Sequence, residues 1–152
     1  MFSLRTAIDA HEARQMNPVV LAFVGDAVYS LYVREKLCLS HDFKTGELQR
    51  LTSLSVSAHG QNEALEKIRP HFTEEEEGIF LRGRNAKKAT HSKSATVAEY
   101  NRSTGFEAVL GFLYLTGRTD RIDELLALTD GAEQTAGEGT ETGAGDEGKD
   151  ED

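Results

Sequence analysis

Two acidic residues interrupt the most apolar segments of this 152-residue chain, and each lies close to a glycine. Asp26 falls within the segment VVLAFVGDAV, and Glu107 falls within the segment GFEAVLGFL. A carboxylate buried without a partner is costly, so such a residue usually pairs with a cation or has a shifted pKa. Oxygen ligands suit Mg²⁺ or Mn²⁺, which keep several waters and often need only one or two protein carboxylates. Asp26 and Glu107 are therefore predicted to form a metal site that activates water against a phosphate.

A structural role for the same two acids is the alternative. Each could pair with an arginine in the core, for example Arg34 or Arg102, and ion pairs of this kind are common in proteins. From spacing alone, the ion-pair interpretation is favoured over the metal site. Other features of the chain must decide between the two.

A basic segment lies shortly before Glu107. Residues 81–102 carry six basic residues and one acid, a net charge of +5 in a chain whose net charge is −9. Concentrated positive charge favours a phosphate backbone, because binding releases condensed counterions. The alternative is a solvated linker that also pairs with the acidic C-terminal residues 131–152, and charge alone supports both interpretations equally. With one further arginine from outside the segment, the candidate nucleic-acid contacts are Arg50, Arg82, Arg84, Lys87, Lys88 and Lys93.

The C-terminal part of the chain differs in composition from the rest. Residues 131–152 contain eight acids and one lysine, a net charge of −7, so residues 1–130 carry the remaining −2. This tail lacks the large apolar residues that would offset its ordering entropy, and it is predicted to be disordered. We therefore predict one domain over residues 1–130 and an acidic tail over 131–152. No segment is typical of a signal peptide or a membrane span, which predicts a cytoplasmic protein.

Helical periodicity extends over nearly all of the predicted domain, and no alternation indicates a strand. Asn17 and Pro18 predict the start of a long helix ending near Cys38, because Asn caps helices and Pro fits the first turn. Further helices are predicted over 45–57, 61–69, 74–82, 96–116 and 120–128, with a loop over 83–95. Six or seven short-linked helices predict an all-α bundle.

Capping and glycine signals give the predicted boundaries. Thr73 and Glu76 match a capping box, with acids where the helix dipole favours them. Gly60 is interpreted as a break between two helices, Gly83 as the end of the next one, and Gly117 as the end of the fifth helix.

The two acidic segments resemble those of a known family. FVGDAV at 23–28 is similar to the F-L-G-D-A signature of the ribonuclease III catalytic domain, and FEAVLG at 106–111 is similar to that domain's second acidic motif. The resemblance to the Mini-ribonuclease III family is closer still. It adds VSA at 56–58 with Gln61, TEEEE at 73–77, RGRNAK at 82–87 and YNRSTGFE at 100–107. The motifs follow one another consistently over about residues 15–128, and together they are specific.

Three positions depart from the usual ribonuclease III pattern. Glutamates commonly precede the signature aspartate by four and seven residues, where this chain has Ala22 and Val19. An aspartate commonly precedes the second glutamate by three residues, where this chain has Thr104. These substitutions fit the Mini branch of the family. The acidic site of that branch resembles a ribonuclease III site reduced to one aspartate and one glutamate. No double-stranded-RNA-binding domain follows, so duplex affinity is expected from the catalytic domain itself.

The resemblance implies a ribonuclease III-like helical bundle that forms a homodimer through residues 18–38. It implies a metal-dependent endoribonuclease in which Asp26 and Glu107 hold Mg²⁺, or Mn²⁺ in its place. The two subunits would cut opposite strands of double-stranded RNA and leave 5′-phosphate and 3′-hydroxyl ends. The implied physiological role is maturation of a large-subunit ribosomal RNA precursor.

Two other functions stay open at this point. A protein with the same fold could bind structured RNA or ribosomal particles without cutting them, which the small number of acids favours. A helical protein-interaction domain would explain the apolar helix over residues 18–38. It would not explain why acids occupy positions 26 and 107.

Overall fold

The computed structural model describes residues 7–40, 44–88 and 95–137, with side chains through Asp130. Seven α-helices and one short 3₁₀ helix over Arg69–His71 form this part of the chain. The α-helices are α1 (Ala10–Gln15), α2 (Pro18–Ser40), α3 (Thr45–Val56), α4 (Ala58–Ile68), α5 (Glu74–Asn85), α6 (Val97–Leu115) and α7 (Thr119–Gly137). Because the described residues contain no strand, the predicted all-α bundle is confirmed. None of these helices is long and apolar enough to cross a membrane.

Helix α6 is the centre of the bundle. It packs most extensively against α2 and α5, and α4 and α7 also contact it. Phe106, Phe112 and Leu113 of α6 are fully buried, and Phe80 of α5 and Leu125 of α7 complete the core around them. Burial on nearly every side explains why α6 has apolar residues around most of its circumference.

Most of the predicted helix boundaries are confirmed at the capping residues. The Asn17 side chain accepts a hydrogen bond from the Val19 N–H at 2.9 Å, one residue after Pro18 opens α2. Thr73 and Glu76 form both hydrogen bonds of the predicted capping box at the start of α5. Gly117 has a φ of 75°, the left-handed conformation that glycine adopts most readily, where α6 ends.

The structure corrects two boundaries that were predicted from glycines. Helix α4 begins at Ala58 rather than Gln61, because Ser57 caps it and Gly60 lies within its first turn. Helix α5 continues past Gly83 to Asn85. Both glycines mark close packing: a Cβ on Gly60 would lie 2.4 Å from the Leu54 carbonyl oxygen, and one on Gly83 would lie 2.9 Å from the Cα of Gly105.

The prediction missed one helix and shortened another. Helix α1 was not predicted, although Asp9 accepts a hydrogen bond from the His11 N–H and caps it. Helix α7 extends to Gly137, beyond the predicted end at Leu128 and into the segment that we assigned to the acidic tail. Residues 138–152 lie outside the described residues, so the domain boundary at residue 130 and the disorder of the tail stay predictions.

Helices α2 and α6 cross in backbone-to-backbone contact at two glycines. A Cβ built on Gly25 would lie 1.7 Å from the Glu107 carbonyl oxygen, and one built on Gly111 would lie 1.9 Å from the Leu21 carbonyl oxygen. Neither contact leaves room for a side chain, and the obstructing atoms are backbone atoms that cannot rotate away. The crossing therefore requires glycine on both helices.

We predict that Gly25→Ala and Gly111→Ala each destabilise the protein by about 3 kcal/mol or more, the upper range for overpacking. Gly78→Ala in α5 is the matched control, because a Cβ there meets nothing within 4 Å. It should leave stability unchanged or raise it by about 0.5–1 kcal/mol, since alanine favours a helix over glycine. Urea unfolding measures all three variants, and normal stability of Gly25→Ala would contradict the described crossing.

Candidate active site

The α2–α6 crossing brings Asp26 and Glu107 together. Asp26 directly follows Gly25 on α2, and Glu107 is the residue of α6 on which Gly25 packs. The two side chains are close enough to share a hydrogen bond. Asp26 is exposed, and Glu107 is partly buried. The structure thus joins the two acids that the sequence singled out, although they are 81 positions apart in the chain.

The surroundings of Glu107 favour its protonated form when no cation is present. Burial raises the pKa of Glu107 to about 8, and the charge of Asp26 and the hydrogen bond to Asp26 act in the same direction. A hydrogen bond from Gln61 acts in the opposite direction, because it stabilises the carboxylate. Because the charge of Asp26 opposes the ionisation of Glu107, a cation beside both carboxylates would be stabilising.

The arginines proposed as ion-pair partners are engaged elsewhere. Arg102 donates to the Asn62 Oδ1 at 2.6 Å, and Arg34 donates to the Ser30 hydroxyl at 3.2 Å. Across the described residues, neither Asp26 nor Glu107 forms a salt bridge. Within the described residues, the structure therefore contradicts the interpretation of these acids as core ion-pair partners of Arg34 or Arg102.

The two acids line an open cleft of about 510 Å³ between α2, α6 and the end of α5. Thr104 also lines this cleft, but its hydroxyl donates to the Tyr100 carbonyl within α6 at 3.1 Å. In the part of the chain that the structure describes, no group of three or more His, Cys, Asp or Glu side chains is arranged so that it could hold a metal ion. A donor set of two carboxylates fits a hard cation that keeps most of its waters, as Mg²⁺ and Mn²⁺ do.

Two of the predicted basic residues share this cleft with the acids. Lys87 and Lys88 both line it, just beyond the C-terminus of α5. Lys88 is held in place, because its ammonium donates to the Ala86 carbonyl at 2.8 Å and to the Arg84 carbonyl at 3.4 Å. Burial lowers the pKa of Lys88. Lys87 is exposed and extends the positive charge to the mouth of the cleft.

The other candidate nucleic-acid contacts lie away from the acids or have partners within the fold. Arg82 donates to the carbonyls of Arg14 at 2.6 Å and Met16 at 3.3 Å, so it holds the segment before α2. Arg84 donates to the Asn85 side chain at 3.1 Å, and Arg50 on α3 lies 3.9 Å from Glu47. Neither lines the cleft. Lys93 lies outside the described residues.

One buried polar residue belongs to the motifs named in the sequence analysis, but the sequence did not predict a role for it. Gln61 on α4 is only 2% exposed, donates to the Val56 carbonyl at 3.2 Å and lowers the pKa of Glu107. Its position could be predicted from helical spacing, because Leu65 and Ile68 lie four and seven residues further on the same face and are buried. Its effect on Glu107 depends on how α4 meets α6, which no local pattern encodes.

A family model described as the ribonuclease III domain matches residues 19–118 of this chain. The matched range contains Asp26, Glu107 and both helices that bring them together. The crystal structure of a protein from Fusobacterium nucleatum is also similar, with a TM-score of 0.71 and 30% sequence identity. That match covers 80% of this chain and 98% of the other chain. The fold and the site thus define a ribonuclease III domain.

The sequence relatives are more specific. This chain is 38% identical to the Mini-ribonuclease 3 of Clostridium tetani, over 77% of this chain and 78% of the relative. It is 43% identical to the Mini-ribonuclease 3 of a Thermoanaerobacter species, over 75% of this chain and 80% of the relative. The chain therefore belongs to the Mini-ribonuclease 3 group of the ribonuclease III family.

The raised pKa of Glu107 predicts how the stability of the cation-free protein depends on pH. An ordinary carboxyl pKa near 4.5 in the unfolded chain rises to about 8 on folding, so the folded state holds the proton more tightly. Its contribution to stability is complete below about pH 4.5 and is lost as the pH rises through about 8. The lowered pKa values of Glu75 and Glu76 affect stability only below this window.

In EDTA, the free energy of unfolding of the wild type should therefore fall between about pH 5 and pH 8.5 relative to that of Glu107→Gln, which has no titrating group at this position. Urea titrations of both proteins across this range measure the difference. If the wild type and Glu107→Gln show the same pH dependence, the described coupling between Glu107 and Asp26 is wrong.

Proposed function

We propose that this protein is a Mg²⁺-dependent endoribonuclease that cuts double-stranded RNA. Its proposed physiological substrate is a precursor of large-subunit ribosomal RNA in the cytoplasm. The observation that carries the proposal is the contact between Asp26 and Glu107 in a cleft that Lys87 and Lys88 also line. Membership of the Mini-ribonuclease 3 group supports the same reaction class.

Asp26 and Glu107 would hold the cation through their carboxylate oxygens. A divalent cation supplies positive charge that polarises the phosphate and lowers the pKa of an attacking water. Glu107 must give up its proton when it becomes a ligand, so cation binding releases a proton at neutral pH. Raising the pH towards 8 would therefore favour the loaded site.

Lys87 and Lys88 would bind the phosphates on either side of the cleavage position. Lys88 is suited to an oxygen close to the acids, because it lines their cleft and its ammonium has a third hydrogen to donate besides those bonded to two carbonyls at the end of α5. Lys87 is exposed and suited to a phosphate further along the strand. We keep Arg50, Arg84 and Lys93 as proposed contacts to more distant phosphates. Arg82 is the weakest candidate of the set, since two backbone carbonyls already engage its guanidinium.

A homodimer through α2 is the proposed assembly. Val20, Phe23 and Leu31 are 48%, 82% and 42% exposed, and helical spacing places them with Ala27 on one stripe of α2. An apolar stripe of this kind is typical of an interface between subunits. Phe23 also lines the cleft, so the proposed interface adjoins the acids. Two clefts in one dimer would then face the two strands of a duplex.

We predict that Asp26→Asn and Glu107→Gln each reduce cleavage of a long duplex RNA in Mg²⁺ by roughly 100-fold or more, as for other groups that stabilise transition-state charge. Above about pH 8, where Glu107 is ionised, their stability without cation should equal or exceed that of the wild type, because each removes a repulsion between the acids. Glu66→Gln, an exposed acid on α4, is the control and should cleave normally. EDTA should abolish cleavage by the wild type.

Two results would contradict this assignment. Near-normal cleavage by folded Asp26→Asn would remove the acids from the reaction. Tight binding of duplex RNA by a wild type that never cuts it in Mg²⁺ or Mn²⁺ would favour the alternative function, a binding module for structured RNA or ribosomes.

The dimer leads to a separate prediction. Light scattering of the wild type at micromolar concentration should give twice the chain mass of 16.7 kDa. Leu31→Glu should give a monomer, because it introduces a charge into the stripe on α2. Leu54→Glu is the control, since Leu54 on α3 is 59% exposed but lies outside that stripe. A monomeric wild type that cleaves both strands would refute the proposed assembly.

A further inference from the structure

A second pocket, of about 450 Å³, lies between α2, α3, α4 and α7. It shares no lining residue with the cleft that holds Asp26 and Glu107. Its volume is within the range of small-molecule sites in proteins. The proposed function gives this pocket no role, so its side chains must show what it would bind.

Tyr29 of α2 presents a buried hydroxyl to this pocket. The residue is 6% exposed, and its ring is fixed edge-on against Phe106, with 5.0 Å between the ring centroids. Its hydroxyl has no hydrogen-bond partner among the described residues, yet it is not sealed from solvent, so it opens onto the pocket. The neighbouring Tyr32, by contrast, donates to the Asp130 carboxylate at 2.7 Å. Because buried tyrosine hydroxyls usually have a partner, a bound molecule would supply the one that Tyr29 lacks.

The two lysines of the pocket differ in their partners. The Lys36 Nζ lies 2.7 Å from the Asp130 Oδ1, so Asp130 balances its charge. Lys67 donates to the Thr129 carbonyl in a long hydrogen bond of 3.4 Å, and it forms no salt bridge within the described part of the chain. Its ammonium has further hydrogens to donate. The Lys67 charge therefore suits a single phosphate group.

Glu63 lies one helical turn before Lys67 on α4, and both line the pocket. A glutamate and a lysine at this spacing usually attract each other, but the Glu63 carboxylate lies 3.1 Å from the His59 Nε2 and forms no salt bridge with Lys67. A carboxylate in such a position can accept hydrogen bonds from ribose hydroxyls, as in dinucleotide sites. The Cβ atoms of such a pair are about 5–6 Å apart, a separation similar to that between the hydroxyls of a ribose and its 5′-phosphate.

The rest of the pocket is largely apolar, with contributions from Val33, Leu37, Leu54 and Ala64. A nucleobase has apolar faces for such a surface and a polar edge for the Tyr29 hydroxyl. Phosphate alone would leave the apolar surface uncovered. A wholly apolar molecule would bury Glu63 and Lys67 without partners, which is costly.

We propose that this pocket binds a ribonucleoside 5′-monophosphate, with its phosphate at Lys67, its ribose hydroxyls at Glu63 and the edge of its base at the Tyr29 hydroxyl. The inference goes beyond the proposed function and does not depend on it, because the pocket and the cleft are separate.

Isothermal titration calorimetry of the full chain in EDTA tests the ligand class, with the 5′-monophosphates of uridine, cytidine, adenosine and guanosine as probes. At least one of them should bind at one site per chain. Its nucleoside and its 2′-deoxy counterpart should each bind about tenfold more weakly, because each lacks a hydrogen bond to a charged side chain. Inorganic phosphate should bind more weakly than the nucleotide. The inference is overturned if none of the nucleotides binds at millimolar concentration, or if phosphate or the deoxynucleotide binds equally well.

Variants locate the site. Lys67→Gln should weaken binding of the nucleotide about tenfold, and Tyr29→Phe about fivefold, as expected for a charged and a neutral hydrogen bond. Tyr29→Phe should leave the melting temperature unchanged, since the hydroxyl that it removes has no partner in the described fold. Lys44→Gln is the matched control, because it removes the same charge from an exposed residue outside the pocket, and it should bind as the wild type does.

Two results with these variants would overturn the inference. Wild-type affinity in Lys67→Gln or in Tyr29→Phe would remove the assigned contacts. Loss of binding in Lys87→Gln with normal binding in Lys67→Gln would place the nucleotide in the cleft and leave the second pocket without a ligand.

Discussion

The close crossing of α2 and α6 is the constraint on which the site depends. Gly25 lies against the Glu107 carbonyl and Gly111 against the Leu21 carbonyl, so the helices meet without intervening side chains. Asp26 directly follows Gly25 on α2, and Gly25 packs against the backbone of Glu107 on α6. The packing that builds the core therefore also sets the distance between the two acids. A larger residue at either crossing would separate the carboxylates as well as the helices. Stability and the candidate chemistry therefore share the same contacts.

The other partly or fully buried acids of the fold show what is unusual about this pair. Glu76 is 2% exposed, but Arg121 binds it, and hydrogen bonds from Arg121 and Thr73 help to lower its pKa. Glu75 is held between Arg14 and Arg118. Asp26 and Glu107 have each other in place of an arginine, and the pKa of Glu107 rises to about 8. Among the described residues, arginines thus neutralise Glu75 and Glu76, whereas Asp26 and Glu107 form no salt bridge in their cleft, which is the arrangement that a cation would complete.

Much of the fold could be predicted from local signals, and much of the site could not. Asn17 with Pro18, the capping box at Thr73 and the end of α6 at Gly117 were predicted correctly because each depends on neighbouring residues. The prediction of helix breaks at Gly60 and Gly83 was wrong, because these glycines are needed for close packing against other helices, α3 for Gly60 and α6 for Gly83. For the same reason the sequence identified both acids as unusual but favoured arginine partners for them. The role of Arg82 rests on tertiary hydrogen bonds to the carbonyls of Arg14 and Met16 that no spacing reveals.

The central claim is that Asp26 and Glu107 together bind one divalent cation. Anomalous diffraction from crystals of the full chain soaked in Mn²⁺ tests it most directly, because it locates the ion without reference to activity. The account predicts one anomalous peak per chain, between the two carboxylates, that disappears in crystals of Asp26→Asn. Wild-type crystals with no peak at this position, or Asp26→Asn crystals that retain it, would contradict the account.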